Sequence, residues 1–236
     1  MIYYLILVIG LIAFFSYMIY MPGRSYQGKL PALEPAGKQM ARRLEAHVVA
    51  LCRHPAGRNH IEKEGLAAAR AYIAAQFGAS GYPVRHQEYQ ISGDTFTNLE
   101  VTRLGTTRPD EIVIVGAHYD AVIGAPGAND NGSGVAAVLE LADRFKDAEF
   151  PRTIRFVAFV NEELPHFRQE TMGSDVYARQ AAREKQKIVA MYSLETIGYF
   201  RDDAGSQQYP PLFKLFYPHA GNFIAFVGNL RSRGLV

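Results

Sequence analysis

The sequence predicts an α/β fold, a three-layer α/β/α sandwich on a mixed, mostly parallel sheet, and three observations lead to it. Short apolar runs rich in β-branched residues recur at Glu111–Ala117, Thr153–Val160 and Lys187–Leu194, the composition that buried parallel strands require. Between the first two, Val135 to Phe145 carries apolar residues at helical period (Val135, Val138, Leu139, Ala142, Phe145). Each apolar run also ends in side chains able to do chemistry, and ligands of open α/β sheets bind outside the carboxyl ends of strands.

The elements follow in chain order. Ile2 to Met21 is uncharged and dominated by Ile, Leu, Val, Phe, Tyr and Met, and about twenty such residues cross a bilayer as a helix. Tyr3, Tyr4, Tyr17 and Tyr20 lie near its two ends, where amphipathic rings favour the interface. With neither a positive amino-terminal region nor an Ala-x-Ala site, residues 1–21 are expected to be an uncleaved single-pass membrane anchor. Residues 22–37, with Pro31 and Pro35, read as a linker, and residues 38–236 as the main domain. Lys38–Cys52 and His60–Phe77 have helix-like apolar spacing, and Gly78 with Gly81-Tyr82-Pro83 stops the second. Val84–Gln90 and Phe96–Leu104 are expected to pair as a hairpin at the sheet edge. A last strand is expected at Asn222–Val227.

Composition narrows the function classes. At 236 residues and 48% hydrophobic content the chain can bury a sizeable core. A net charge of +2, without a basic stripe interleaved with aromatics, gives no sign of a nucleic-acid partner. The single cysteine, Cys52, excludes an intrachain disulfide framework and a thiolate cluster, so any metal must rely on histidine and carboxylate.

Such residues gather after the strands. His118 and Asp120 close the first run, and on extended chain they point to the same side. Asp120 is therefore expected to accept a hydrogen bond from the imidazole nitrogen facing away from a metal. Asp130 stands in Asn129-Asp130-Asn131-Gly132, ahead of the helix, and the following Ser133-Gly134 lets backbone pass close by. Asn161-Glu162-Glu163 follows the second run and Glu195 the third. Carboxylates in this number repel one another and carry a desolvation cost unless a cation neutralises them. Hard oxygen and borderline nitrogen donors suit zinc in a site that keeps an open position. The plainer alternatives are a turn and helix cap for Asp130 and a solvated acidic pair for Glu162 and Glu163. His47, His54, His60 and His86 read as surface residues, and Tyr199, Phe200, Phe213, Phe216 and Tyr217 as core more than pocket.

In its ordered motifs the chain from about Glu45 onward resembles the di-zinc aminopeptidases of the MH clan, among them secreted leucyl aminopeptidases, aminopeptidase Y and glutamate carboxypeptidase-type enzymes. The resemblance implies the zinc exopeptidase fold and two Zn2+ per complete site. It gives His118 and Glu195 to the first zinc, makes Asp130 the bridging carboxylate and assigns Glu163 to the second zinc. Glu162 is implied as the general base, Asp120 as the catalytic residue that orients His118, and a peptide with a free amino terminus as substrate. It also implies an extracytoplasmic catalytic domain, whereas Arg24, Lys29, Lys38, Arg42 and Arg43 after the apolar segment argue for a cytoplasmic one. Two departures stand out. Glu195 replaces the usual aspartate in Leu194-Glu195-Thr196-Ile197-Gly198, and the family's last ligand, a histidine near the carboxyl end, has no counterpart before Val236. Only His166 and His219 lie downstream of the glutamate pair, neither in the family's context, so the domain is expected to lack its last elements. A non-catalytic peptidase-like binding domain and a single-zinc acyltransferase resembling glutaminyl cyclase are the alternatives.

Overall fold

The computed structural model describes residues 2–19, 26, 28–210 and 213–235. Two compact units are present, Leu33–Asn222 and a smaller one of Met1–Ala32 with Phe223–Val236.

The larger unit opens with helices α2 (Pro35–Leu51) and α3 (Lys63–Ala79), after α1 of the smaller unit. Strands β1 (Arg85–Ile91) and β2 (Asp94–Arg103) follow as an antiparallel hairpin, with Ser92 and Gly93 at its tip both at positive φ (51° and 92°), the backbone of a tight two-residue turn. Then come β3 (Arg108–His118), α4 (Gly134–Phe145), β4 (Arg152–Phe159), α5 (Gly173–Arg183) and β5 (Lys187–Ser193). The sheet runs β1-β2-β4-β3-β5, and β3 is parallel to both β4 and β5.

The apolar runs form strands because the two central ones are covered on both faces. Along β3, Val115 and Ala117 face one core with Leu51, Ile73, Phe77 and Val138 from the helices α2, α3 and α4, while Ile112 and Ile114 face a second core with Tyr177 of α5. Strand β4 alternates in the same way, Phe156 and Ala158 to one side and Val157 and Phe159 to the other. Each large side chain buried like Phe156 contributes about 1.5–3 kcal/mol relative to exposure. The result is the expected sandwich on a mixed sheet. Helix α5 is an addition to the sequence-based reading: its buried residues Gly173, Tyr177 and Ala181 keep a helical spacing, but two of the three are small and give little apolar signal.

Two expectations are corrected, and the expected membrane anchor is not supported. The apolar helix α1 covers Ile2–Ile19. Among the described residues no helix is long and apolar enough to cross a membrane, and Met1, Tyr20 and Met21 of the expected anchor lie outside them. Within the same small unit, the Arg233 guanidinium lies 4.2 Å from the centre of the Tyr17 ring. Asn222–Val227 is not a strand, because no neighbouring strand pairs its backbone. Nor are the late aromatics core: Tyr199 is 63% exposed and Phe216 57%.

Candidate metal centre

The sheet order brings the three parallel strand ends side by side, with β3 in the middle. Tyr119 N–H donates to the Phe159 carbonyl at 2.8 Å, and Leu194 N–H donates to the Gly116 carbonyl at 2.8 Å. His118, the last residue of β3, therefore stands between Glu162 on one side and Glu195 on the other. Its Nε2 lies 3.1 Å from Asp130 Oδ1, 3.3 Å from Glu195 Oε2 and 3.8 Å from Glu162 Oε2. Donor atoms of His118, Asp130 and Glu195 all fall within 4.8 Å of one another.

Asp120 does more than the work expected of it. Its carboxylate accepts the Glu162 and Glu163 backbone N–H groups, one on each oxygen, both at 3.0 Å. Its Oδ1 lies 3.4 Å from His118 Nδ1, near enough for an ion pair, yet that nitrogen is buried without an aligned hydrogen-bond partner. Both oxygens of Asp120 are aimed at the turn carrying the glutamates, which leaves the imidazole contact long. Glu163 is not in the three-residue cluster, and its main chain is what Asp120 holds. His166 is buried beside His60 and Phe96 with Nδ1 2.9 Å from Thr171 Oγ1, and His219 is exposed. Neither joins the cluster.

The loop feeding α4 is stitched to the segment after β5. Asn131 Nδ2 donates to the Leu194 carbonyl at 2.8 Å and to Glu195 Oε2 at 3.0 Å, while its Oδ1 accepts Gly134 N–H at 3.1 Å and Thr196 N–H at 3.3 Å. Asn129 Oδ1 accepts Gly198 N–H at 2.9 Å, and Ser133 Oγ accepts Ile197 N–H at 3.1 Å. The expected close passage is real: a Cβ on Gly134 would sit 2.4 Å from the Leu194 carbonyl oxygen. Asp130 projects from this turn, where the backbone is non-helical and the Asp130–Asn131 peptide is cis.

Asn131 and Arg58 are the contributors that the sequence-based reading missed. Asn131 sits in an Asn-Asp-Asn-Gly run that reads as turn chemistry. Arg58 stands in a Pro-Ala-Gly-Arg loop where an arginine is expected in solvent, yet it is 1% exposed.

Electrostatics set this cluster apart. Among the described residues no lysine or arginine forms an ion pair with Asp130, Glu162 or Glu195; His118 is the basic side chain close to all three, and the charge of Arg58 reaches Asp130 from farther off. Burial works to lower the His118 pKa, but Asp120 and Glu195 overcome it and hold it at about 10. Burial raises Asp130, with His118 opposing and Glu195 adding to the rise. Burial likewise raises Glu162 and Glu163, and neighbouring carboxylates push the same way. One imidazole nitrogen, carboxylate oxygens and a deficit of positive charge fit a divalent cation, with His118, Asp130 and Glu195 as the side chains able to hold it.

Comparison with known proteins places this geometry. Residues 98–217 match the profile of Peptidase family M28. The chain belongs to this family. It is 37% identical to the uncharacterized protein YfbL of Escherichia coli (strain K12) over 76% of its own length, and it spans 56% of YfbL. It is 39% identical to aminopeptidase YwaD of Bacillus subtilis (strain 168) over 37% of its length, spanning 18% of that protein. The solved aminopeptidase from Aneurinibacillus sp. strain AM-1 superposes with a TM-score of 0.57 at 18% identity, covering 70% of this chain and 72% of that one, a likeness of fold. The M28 chain thus carries the mixed sheet of the zinc exopeptidase fold.

Proposed function

We propose that this chain carries the catalytic centre of a zinc-dependent aminopeptidase. The observation that carries the reading is the convergence of His118, Asp130 and Glu195 at adjacent strand ends, with Glu162 3.8 Å from the same imidazole nitrogen and, among the described residues, no lysine or arginine in an ion pair with them. Membership in Peptidase family M28 and the likeness to aminopeptidase YwaD support the substrate class.

His118, Asp130 and Glu195 would hold zinc, and Glu163 is the candidate ligand for a second ion. Zinc, when bound, supplies Lewis acidity toward a peptide carbonyl and acidifies water. Glu162 takes the proton from the attacking water and passes it to the leaving amine. Burial, with neighbouring carboxylates, raises its pKa, the direction that brings a carboxylate toward the working pH of a general base. Asp120, through the Glu162 and Glu163 amides, fixes where the base stands. Asn131 does the same for the Glu195 carboxylate.

The test is zinc content per chain beside release of nitroaniline from aminoacyl-nitroanilides, in the wild type and in Glu162→Gln. Zinc retained in both, with turnover in the variant lower by about 10²- to 10⁴-fold, is the expected result. A chain that takes up no zinc is a peptidase-like binding domain. One zinc with cyclisation of amino-terminal glutamine and no hydrolysis makes it the acyltransferase.

Lipid association of α1 is proposed from its exposed apolar side chains, Leu5 at 59% and Ile6 at 62% among them. Recovery of the full chain in the aqueous phase of a detergent partition would dismiss it.

A further inference from the structure

Arg58 lies in the loop between α2 and α3, 1% exposed, and among the described residues it forms no ion pair with any carboxylate. A buried guanidinium without an acidic partner is costly, so its hydrogen bonds must justify its place. Apart from a long Nη1 contact to Cys52 Sγ at 3.7 Å, they go to one stretch of chain. Nε donates to the Tyr119 carbonyl at 2.6 Å, Nη1 to the Pro126 carbonyl at 2.5 Å and Nη2 to the Gly127 carbonyl at 2.7 Å. The Arg58 carbonyl in turn accepts Ala121 N–H at 2.8 Å. The fork therefore clasps both feet of the 119–127 loop. One foot adjoins Asp120, and the other leads to Asp130 through Gly127, whose carbonyl also accepts Gly132 N–H at 2.9 Å.

The packing leaves no slack at this point. Gly127 has φ of 66°, and a Cβ there would lie 2.8 Å from Arg58 Nη2 and 2.8 Å from the Asp130 carbonyl oxygen. The clasp and the backbone of Asp130 thus share one contact.

We propose that Arg58 is a positioning residue of the metal centre, whose planar fork fixes the Asp120 and Asp130 ends of the loop relative to each other without itself meeting metal or substrate. This rests on the reading of His118, Asp130 and Glu195 as a metal site. Two roles for a buried cation next to that site predict opposite signs. As a mere charge, Arg58 repels a dication, and its neutral replacement should bind zinc more tightly. As a clasp, it makes the site, and its replacement should bind zinc less tightly whatever the charge of the substitute. Lysine would keep the charge but lacks the fork, and meets one carbonyl where arginine meets three.

The experiment is competition for zinc against a chromophoric chelator, on the full chain and well below the unfolding midpoint, with thermal unfolding recorded separately for each variant. Arg58→Ala and Arg58→Lys should both weaken zinc binding by about 10- to 100-fold, as loss of residues that orient ligands does elsewhere. Added guanidinium ion should restore part of the Arg58→Ala loss, and methylammonium should not. Gly127→Ala, which keeps Arg58 and disturbs the shared contact, should weaken zinc binding in the same direction and decides the matter if Arg58→Ala does not fold. Folded variants that bind zinc as tightly as the wild type, or more tightly, would overturn the proposal. A wild-type chain that binds no zinc would instead overturn the metal-site reading, and this inference with it.

Discussion

Glu100 and Glu140 are 4% and 6% exposed, and the chain's own basic side chains meet each of them. Arg85 lies 3.4 Å and Arg155 3.7 Å from Glu100, while Arg43 lies 2.7 Å and His47 3.3 Å from Glu140. At the carboxyl ends of β3, β4 and β5 the treatment is reversed. Asp130, Glu162 and Glu195 share one imidazole, and their remaining polar contacts, such as the amide of Asn131 on Glu195, orient without neutralising. The fold therefore pairs an acid internally where it serves structure, and leaves its charge open where an external cation can complete it. Asp130 and Glu195 are exposed, and unpaired acids on a surface are common; what sets these apart is that their oxygens gather within 4.8 Å around a buried histidine.

Substitution on each side of this contrast should separate metal binding from stability. His118→Ala removes the one shared basic neighbour and a ligand together. It should abolish stoichiometric zinc, and with it any hydrolysis, by elemental analysis of the purified chain; retained zinc would take His118 out of the site. Asp120→Asn keeps size and burial but turns one acceptor into a donor facing an amide N–H of Glu162 or Glu163. Zinc affinity should fall by about 10- to 100-fold in a chelator competition.

The pH dependence probes the same contrast. In the metal-free chain His118, held at about 10, contributes stability that is complete below its unfolded pKa and is lost as pH rises toward 10. Asp130, Glu162 and Glu163, raised chiefly by burial, also cost stability as they ionise with rising pH. Both signs agree. Zinc needs these groups deprotonated, so the rise in Tm on adding zinc should itself grow with pH, by about 3 °C per pH unit when one proton is displaced. A zinc effect independent of pH between about 6 and 8.5 would place the ion elsewhere. On the structural side, Arg155→Met strands part of the Glu100 charge and should cost about 1.5–3 kcal/mol in urea unfolding, with zinc affinity unchanged.

What the sequence disclosed follows from the range of the forces involved. The apolar runs at 111–117, 153–160 and 187–194 were readable because burial on both faces leaves its mark on every residue of a strand. His118, Asp130 and Glu195 were readable because each closes such a run, follows it or leads into the next helix, so the strands needed only to be parallel to bring them together. Helix α5 lacked such a mark, as only three of its residues are buried. Arg58 and Asn131 were hidden for another reason. Their work is done by hydrogen bonds to backbone distant in sequence, at separations of 61 to 69 residues for Arg58 and 63 for Asn131 to Leu194, and carbonyl groups carry no residue-specific signature. The His118–Asp120 contact is long, because spacing on a strand gives the side and not the competing donors at Glu162 and Glu163.

The most direct test is zinc K-edge X-ray absorption on the zinc-loaded wild-type chain beside His118→Ala. The account predicts imidazole and carboxylate scatterers at about 2.0–2.2 Å with no sulfur in the wild type, and loss of the imidazole signature or of the ion itself in the variant. A sulfur shell from Cys52, or a wild-type spectrum that His118→Ala leaves unchanged, would contradict it.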